Sequence, residues 1–185
     1  MRTFIAINFD PDLKKNLIGL VAKLKKKKGH IRWAHESSMH LTLKFLGEIN
    51  PEQAAAVENI LKEISGNHRS FDLNLKGTGY FPPNRRSPRV LWIGVAEAPL
   101  LLTIQEDLDS AFEKMGFQRE QRNFHPHLTL GRVQSPSNIK ETLDELEKER
   151  NSDFGRMVVK KLTFFRSTLK PTGAEYTVLS EFELQ

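Results

Sequence analysis

A histidine and a threonine one residue apart occur twice, in His40-Leu41-Thr42-Leu43 and His127-Leu128-Thr129-Leu130, 87 residues from each other. Histidine changes charge near neutral pH and can give or take a proton. Threonine carries a hydroxyl on a side chain with few rotamers. In a strand, alternate side chains share a face, so each box presents its His and Thr together and turns its leucines the other way. Two such strands facing across a cleft would grip a phosphate with two hydroxyls. They would also place a proton donor on one side of it and an acceptor on the other. One His-x-Thr is more simply a satisfied structural pair, but two copies in the same apolar frame point to chemistry.

The elements that would carry the boxes also recur. Arg2–Asn8 reads as a strand, Pro11 comes next, and Leu13, Leu17, Leu20, Val21 and Leu24 recur at helical spacing. In the second half residues 89–95 read as a strand, Pro99 comes next, and Leu101, Ile104, Leu108 and Phe112 mark a helix. After the first box, Asn50-Pro51-Glu52-Gln53 has the cap, proline and capping-box residues of a helix start. After the second box, Ser135-Pro136 opens a helix predicted to run to about Glu149. One strand closes each half, near residues 71–76 and 156–165, and a last one, 175–184, pairs back after a Pro171-Thr172-Gly173 turn. Residues 77–88, rich in Gly, Pro and Arg, read as the linker between halves.

The pattern predicts an α+β fold. It is one domain over residues 1–185, duplicated at about residue 88, with two pseudo-symmetric lobes of mainly antiparallel sheet backed by helices around a central cleft. A doubly wound parallel sheet is the alternative, but no glycine-rich strand-to-helix turn supports it. The 185 residues suffice for such a core, and no apolar run is long enough to span a membrane. The first residues read as an opening strand and not as a signal peptide. There is no cysteine, so a cytoplasmic location is expected. A net charge of +5 suits an anionic partner such as nucleic acid. With no carboxylate in either box, no metal or other cofactor is expected.

The boxes resemble the signature of the two-histidine phosphoesterase superfamily, and most closely that of the RNA 2′,3′-cyclic phosphodiesterases, also called 2′-5′ RNA ligases. The likeness extends to residues 2–7, to His40–Glu48, to residues 126–132, and to segments 89–95 and 167–179. It implies a bilobal fold and metal-free opening of a terminal 2′,3′-cyclic phosphate to a 2′-phosphate, with reversible 2′-5′ ligation in some members. It implies His40 as proton donor, His127 as proton acceptor, and Thr42 and Thr129 as donors to the nonbridging oxygens. Arg132 falls where the family carries a phosphate-holding cation. Its odd offset from His127 would require a bulge or a strand end, and a surface salt bridge is the alternative.

The expected partner is RNA with a 2′,3′-cyclic phosphate end, with no membrane and no obligate protein partner, and the expected state is a monomer. A small cyclic nucleotide, such as ADP-ribose cyclic phosphate, is an alternative substrate. A noncatalytic RNA-end-binding module is a further alternative. Strict alternation puts Lys44 on the His40 face and Phe45 with the leucines, so Phe45 is expected in the core, base stacking being the other option. His125 shares the His127 face and either orients the site or caps the start of the strand. The lysines at 25–28 suit a helix C-terminus, and Arg85, Arg86 and Arg89 either guide RNA or are solvated loop charges.

Overall fold

The first two helices start at capping residues. In this computed structural model, which describes residues 1–185 except Arg122 and Thr172, Asp10 caps α1 (Pro11–Lys25) by accepting the Leu13 N–H at 2.8 Å. Asn50 and Gln53 form a reciprocal capping box at α2 (Pro51–Asn67), with bonds of 2.8 and 3.0 Å. Each such cap stabilises its helix by about 1 kcal/mol. The third and fourth helices are α3 (Pro99–Lys114) and α4 (Lys140–Lys148). α4 begins later than Ser135-Pro136 predicts, because Ser135 still belongs to a strand and pairs with His30.

Among the described residues, nine strands form two antiparallel sheets. They are β1 (Arg2–Asn8), β2 (His30–Trp33), β3 (His40–Glu48), β4 (Phe71–Phe81), β5 (Val90–Val95), β6 (His127–Ser135), β7 (Asp153–Val159), β8 (Lys161–Lys170) and β9 (Gly173–Glu183). The four-stranded sheet has the order β3-β1-β8-β9, and the five-stranded sheet β2-β6-β5-β4-β7. The α+β class is as predicted. The halves, however, exchange strands. β4 ends the first half but pairs with β5 of the second, and β8 ends the second half but pairs with β1 of the first.

Two segments therefore depart from the sequence reading. The strand expected over 156–165 is two strands, β7 on one sheet and β8 on the other, because a continuous apolar alternation does not reveal that the chain changes partners. The expected linker keeps only its second part as a loop. Residues 77–81 extend β4, and Gly79 serves a close approach, since a Cβ there would overlap the Trp92 ring. β2 has no counterpart among the elements expected from sequence. β9 pairs back along β8 as expected, with Thr172 of the predicted turn lying outside the described residues.

The leucines of both boxes turn inward as predicted. Leu41, Leu43, Leu128 and Leu130 join Ile5, Ile7, Leu91, Ile93 and the apolar faces of all four helices in one continuous core. α1 packs on β7 and α4, α2 on β8, β9 and α3, and α3 on β3. The opposite face of the four-stranded sheet carries a smaller cluster, Phe4, Ala6 and Phe165, with Tyr176 against it. The two box strands, β3 and β6, belong to different sheets and meet each other where the sheets adjoin. No described helix is long and apolar enough to cross a membrane.

Candidate active site

His40 opens β3 opposite Asn8 of β1, and Thr42 lies opposite Ala6. His127 opens β6 opposite Gly94 of β5, and Thr129 lies opposite Trp92. In both strands the His and Thr point away from the core and are half-buried. Neither threonine hydroxyl is engaged by another described residue. The box strands contact each other, and each carries its His-Thr pair on the face turned away from the core.

Each box strand then bulges at the same place. In β3, Thr42 faces Ala6 and Lys44 faces Ile5, so Leu43 is the extra residue. In β6, Thr129 faces Trp92 and Gly131 faces Leu91, so Leu130 is the extra one. An extra residue reverses the in–out phase of the strand beyond it. Arg132 thereby joins the His127–Thr129 face and is exposed, which is the bulge its offset required.

The same shift corrects two expectations in β3. Phe45 does not enter the core: it is 64% exposed, on the His40 face, with its ring 5.8 Å from Phe4. Lys44 does not share the His40 face. It is buried, pairs with buried Asp109 of α3 and donates to the Gln118 carbonyl at 2.8 Å. Asp109 also accepts the Glu120 N–H at 3.2 Å, so the pair ties the first box strand to the loop that leads to the second. At the equivalent Gly131 no side chain fits, because Ile31 and Trp33 of β2 occupy the space.

The two histidines sit in different surroundings. His40 lies among aromatic rings, 4.8 Å from Phe4, 5.4 Å from Phe165 and 5.0 Å from Tyr176 between centroids. Burial there, with repulsion from Lys14, pushes its pKa down from 6.5 to about 4. Lys14 is held by Asn8, the backbone partner of His40, at 2.9 Å. In the free protein His40 is therefore neutral at pH 7.

His127 packs edge-on against Phe81 at 5.2 Å, and its Nδ1 lies 2.7 Å from the carbonyl oxygen of His125. A carbonyl only accepts, so Nδ1 carries the hydrogen and Nε2 of the neutral ring keeps its lone pair. His125 thus orients the site through its backbone, a role that no side-chain pattern signals.

Three of the other basic residues singled out from sequence have carboxylate partners. Arg85 forks onto Asp144 and Glu147 of α4 at 2.5 and 2.6 Å, so it is a packing cation and not a free guide for RNA. Lys27 and Lys28 at the end of α1 pair with Glu145 and Glu141. Sequence reasoning missed Arg32, which lies opposite Arg132 on β2. The alternation of His30 and Arg32 with Ile31 and Trp33 is its only local signal, and four residues are few to read a strand from.

The phosphoesterase family described as "LigT like Phosphoesterase" matches the chain twice, over residues 7–92 and 93–176. The chain belongs to the LigT-like phosphoesterases. Relatives in that family include proteins named RNA 2′,3′-cyclic phosphodiesterase. The one from Methanothermobacter thermautotrophicus is 32% identical over 100% of this chain and 99% of its own. The one from Thermotoga maritima is 35% identical over 100% of this chain and 96% of its own. Among solved structures, E. coli LigT complexed with 3′-AMP superimposes with a TM-score of 0.81 at 26% identity, covering 100% of this chain and 98% of that one. The LigT-like fold thus accounts for both the repeated elements and the repeated boxes.

Proposed function

We infer that this chain is an RNA 2′,3′-cyclic phosphodiesterase that opens a terminal cyclic phosphate to a 2′-phosphomonoester. The observation that carries this reading is the pair of His-Thr faces on two adjoining bulged strands, in a chain whose relatives bear that name. Water attacks in line with the departing 3′-oxygen, so one group takes the water's proton and another protonates the leaving oxygen. His127 is the acceptor, and its Nδ1–H bond to His125 supports this by leaving Nε2 free. His40 is the donor. It is neutral in the free protein, and the bound phosphate anion raises its pKa and charges it. Thr42, Thr129 and Arg132 hold the nonbridging oxygens, where donors already in place stabilise developing charge. In 2′-5′ ligation a 5′-hydroxyl takes the place of water and the histidines keep their roles, which exchange when the 2′-5′ bond is cleaved back to the cyclic phosphate.

No metal takes part in this scheme, whose acid and base are both imidazoles. RNA ends are the partner, and exposed Phe45, beside the phosphate site, offers a face on which the terminal base stacks. The action is cytoplasmic and monomeric in this reading. The lack of cysteine supports the first, and the presence of both boxes in one chain supports the second.

The test is conversion of an oligoribonucleotide with a 2′,3′-cyclic phosphate end, in EDTA, with the product monoester identified. The expected product is the 2′-phosphate, and His40→Ala and His127→Ala each lose roughly 10²–10⁴-fold in rate. Binding without conversion would overturn the reading in favour of an RNA-end-binding module. Activity that appears only on adding metal would overturn the two-imidazole scheme.

A further inference from the structure

β2 brings a second guanidinium to the site strand. Arg32 is the direct cross-strand partner of Arg132, and Ile31 and Trp33 on either side of it pack toward the core. Directly paired residues share a face, so Arg32 lies on the face that carries His127, Thr129 and Arg132. Both arginines are exposed. Neither is ion-paired with a carboxylate among the described residues, whereas Arg85 and Arg119 each bridge two. Like charges directly opposite on antiparallel strands destabilise the sheet. A short edge strand that sets two unneutralised arginines side by side along the site face is built for an anion from outside.

We propose that Arg32, beside Arg132, forms a second anion subsite that holds the phosphodiester next to the terminal nucleotide, so that the enzyme selects RNA chains over cyclic mononucleotides. The proposal rests on the phosphodiesterase reading above. Arg132 is four rungs along the ladder from His127, about 13 Å, within reach of a long side chain turned back toward the reacting phosphate. Arg32 stands one strand spacing further out, about 4.8 Å, at the sheet edge where a polymer leaves the site. A cyclic mononucleotide has no second phosphate to reach it. Guanidinium groups match the phosphodiester through forked hydrogen bonds and stay charged at all working pH values.

The test compares wild type with Arg32→Ala and Arg32→Gln on a cyclic mononucleotide and on an oligoribonucleotide with the same cyclic end, across a salt series. The expected result for both variants is a KM about tenfold higher on the oligonucleotide, with kcat and the mononucleotide KM unchanged. The slope of log KM against log salt flattens by about one, as for the loss of one phosphate contact. The melting temperature at low salt is unchanged or raised, because a like-charge neighbour has gone. Equal losses on both substrates, a lowered melting temperature with them, or no change on the oligonucleotide would each overturn the subsite. If wild type converts neither substrate, the phosphodiesterase reading fails. Binding of an unreactive oligonucleotide with a 3′-phosphate, weakened or not by Arg32→Ala, then decides the subsite separately.

Discussion

His40 illustrates how the surroundings of one side chain set its task. A ring held at a pKa of about 4 by burial among Phe4, Phe165 and Tyr176, and by Lys14, costs the fold energy whenever it must be charged. Between pH 6.5 and 4 the unfolded chain binds this proton and the folded one does not. Stability therefore rises with pH through that window and is lost as pH falls. The contribution is about 3 kcal/mol once both states are compared at pH 4 or below. Urea unfolding from pH 7 to 4 is expected to show this loss in wild type and a smaller one in His40→Gln; parallel curves would contradict it. The same depressed pKa predicts that a phosphodiester analogue is bound with uptake of a proton near pH 6. Calorimetry in buffers of different ionisation enthalpy measures this. Binding without uptake would make His40 the base and reverse the assignment of the two rings.

The bulge is the device by which each box strand serves both the core and the site. Without Leu43 and Leu130 as extra residues, Phe45 and Arg132 would point into the interior and Lys44 onto the cleft face. The bulges are equivalent, but their surroundings differ. In the second half β2 fills the space beside Gly131, and in the first Lys44 occupies it and reaches Asp109 and the Gln118 carbonyl. Removing one member of a buried ion pair leaves the other uncompensated, so Asp109→Ala is expected to destabilise the protein by about 3–5 kcal/mol. The double replacement Lys44→Met with Asp109→Leu is expected to recover most of that loss. Urea denaturation of the three proteins checks both statements. A double variant no more stable than the single one would show that the bonds to the 118–120 loop, and not charge balance, carry the stability.

Strand exchange makes the whole molecule more than two copies of one lobe. β1 needs β8 from the far end of the chain, and β4 needs β5 and β7. A break at residue 88 therefore strips each sheet of an interior neighbour and divides one continuous core. Fragments 1–88 and 89–185 are each expected to lack cooperative thermal unfolding when purified alone, and to regain it when refolded together. Circular dichroism monitors both, and independent folding of either fragment would show that the lobes, not the exchanged sheets, are the folding units.

Much of this molecule is legible in its sequence. The 3.6-residue spacing of α1 and α3, the capping residues of α2, and the alternation in both boxes are local patterns, and local patterns survive in one dimension. The four box residues and the doubled order of elements come directly from them. Residue pairing across strands is different, because a partner is chosen by the fold and leaves no trace beside its mate. The switch of sheets at Lys160, the strand β2 with Arg32, the bulges that expose Phe45 and bury Lys44, and the His125 carbonyl on His127 all depend on contacts between distant segments. The chain's own residues name the candidate groups for the chemistry. Long-range pairing alone sets which way each one faces, what surrounds it and whether it is charged, because phase and burial are properties of a neighbourhood that the chain assembles only on folding.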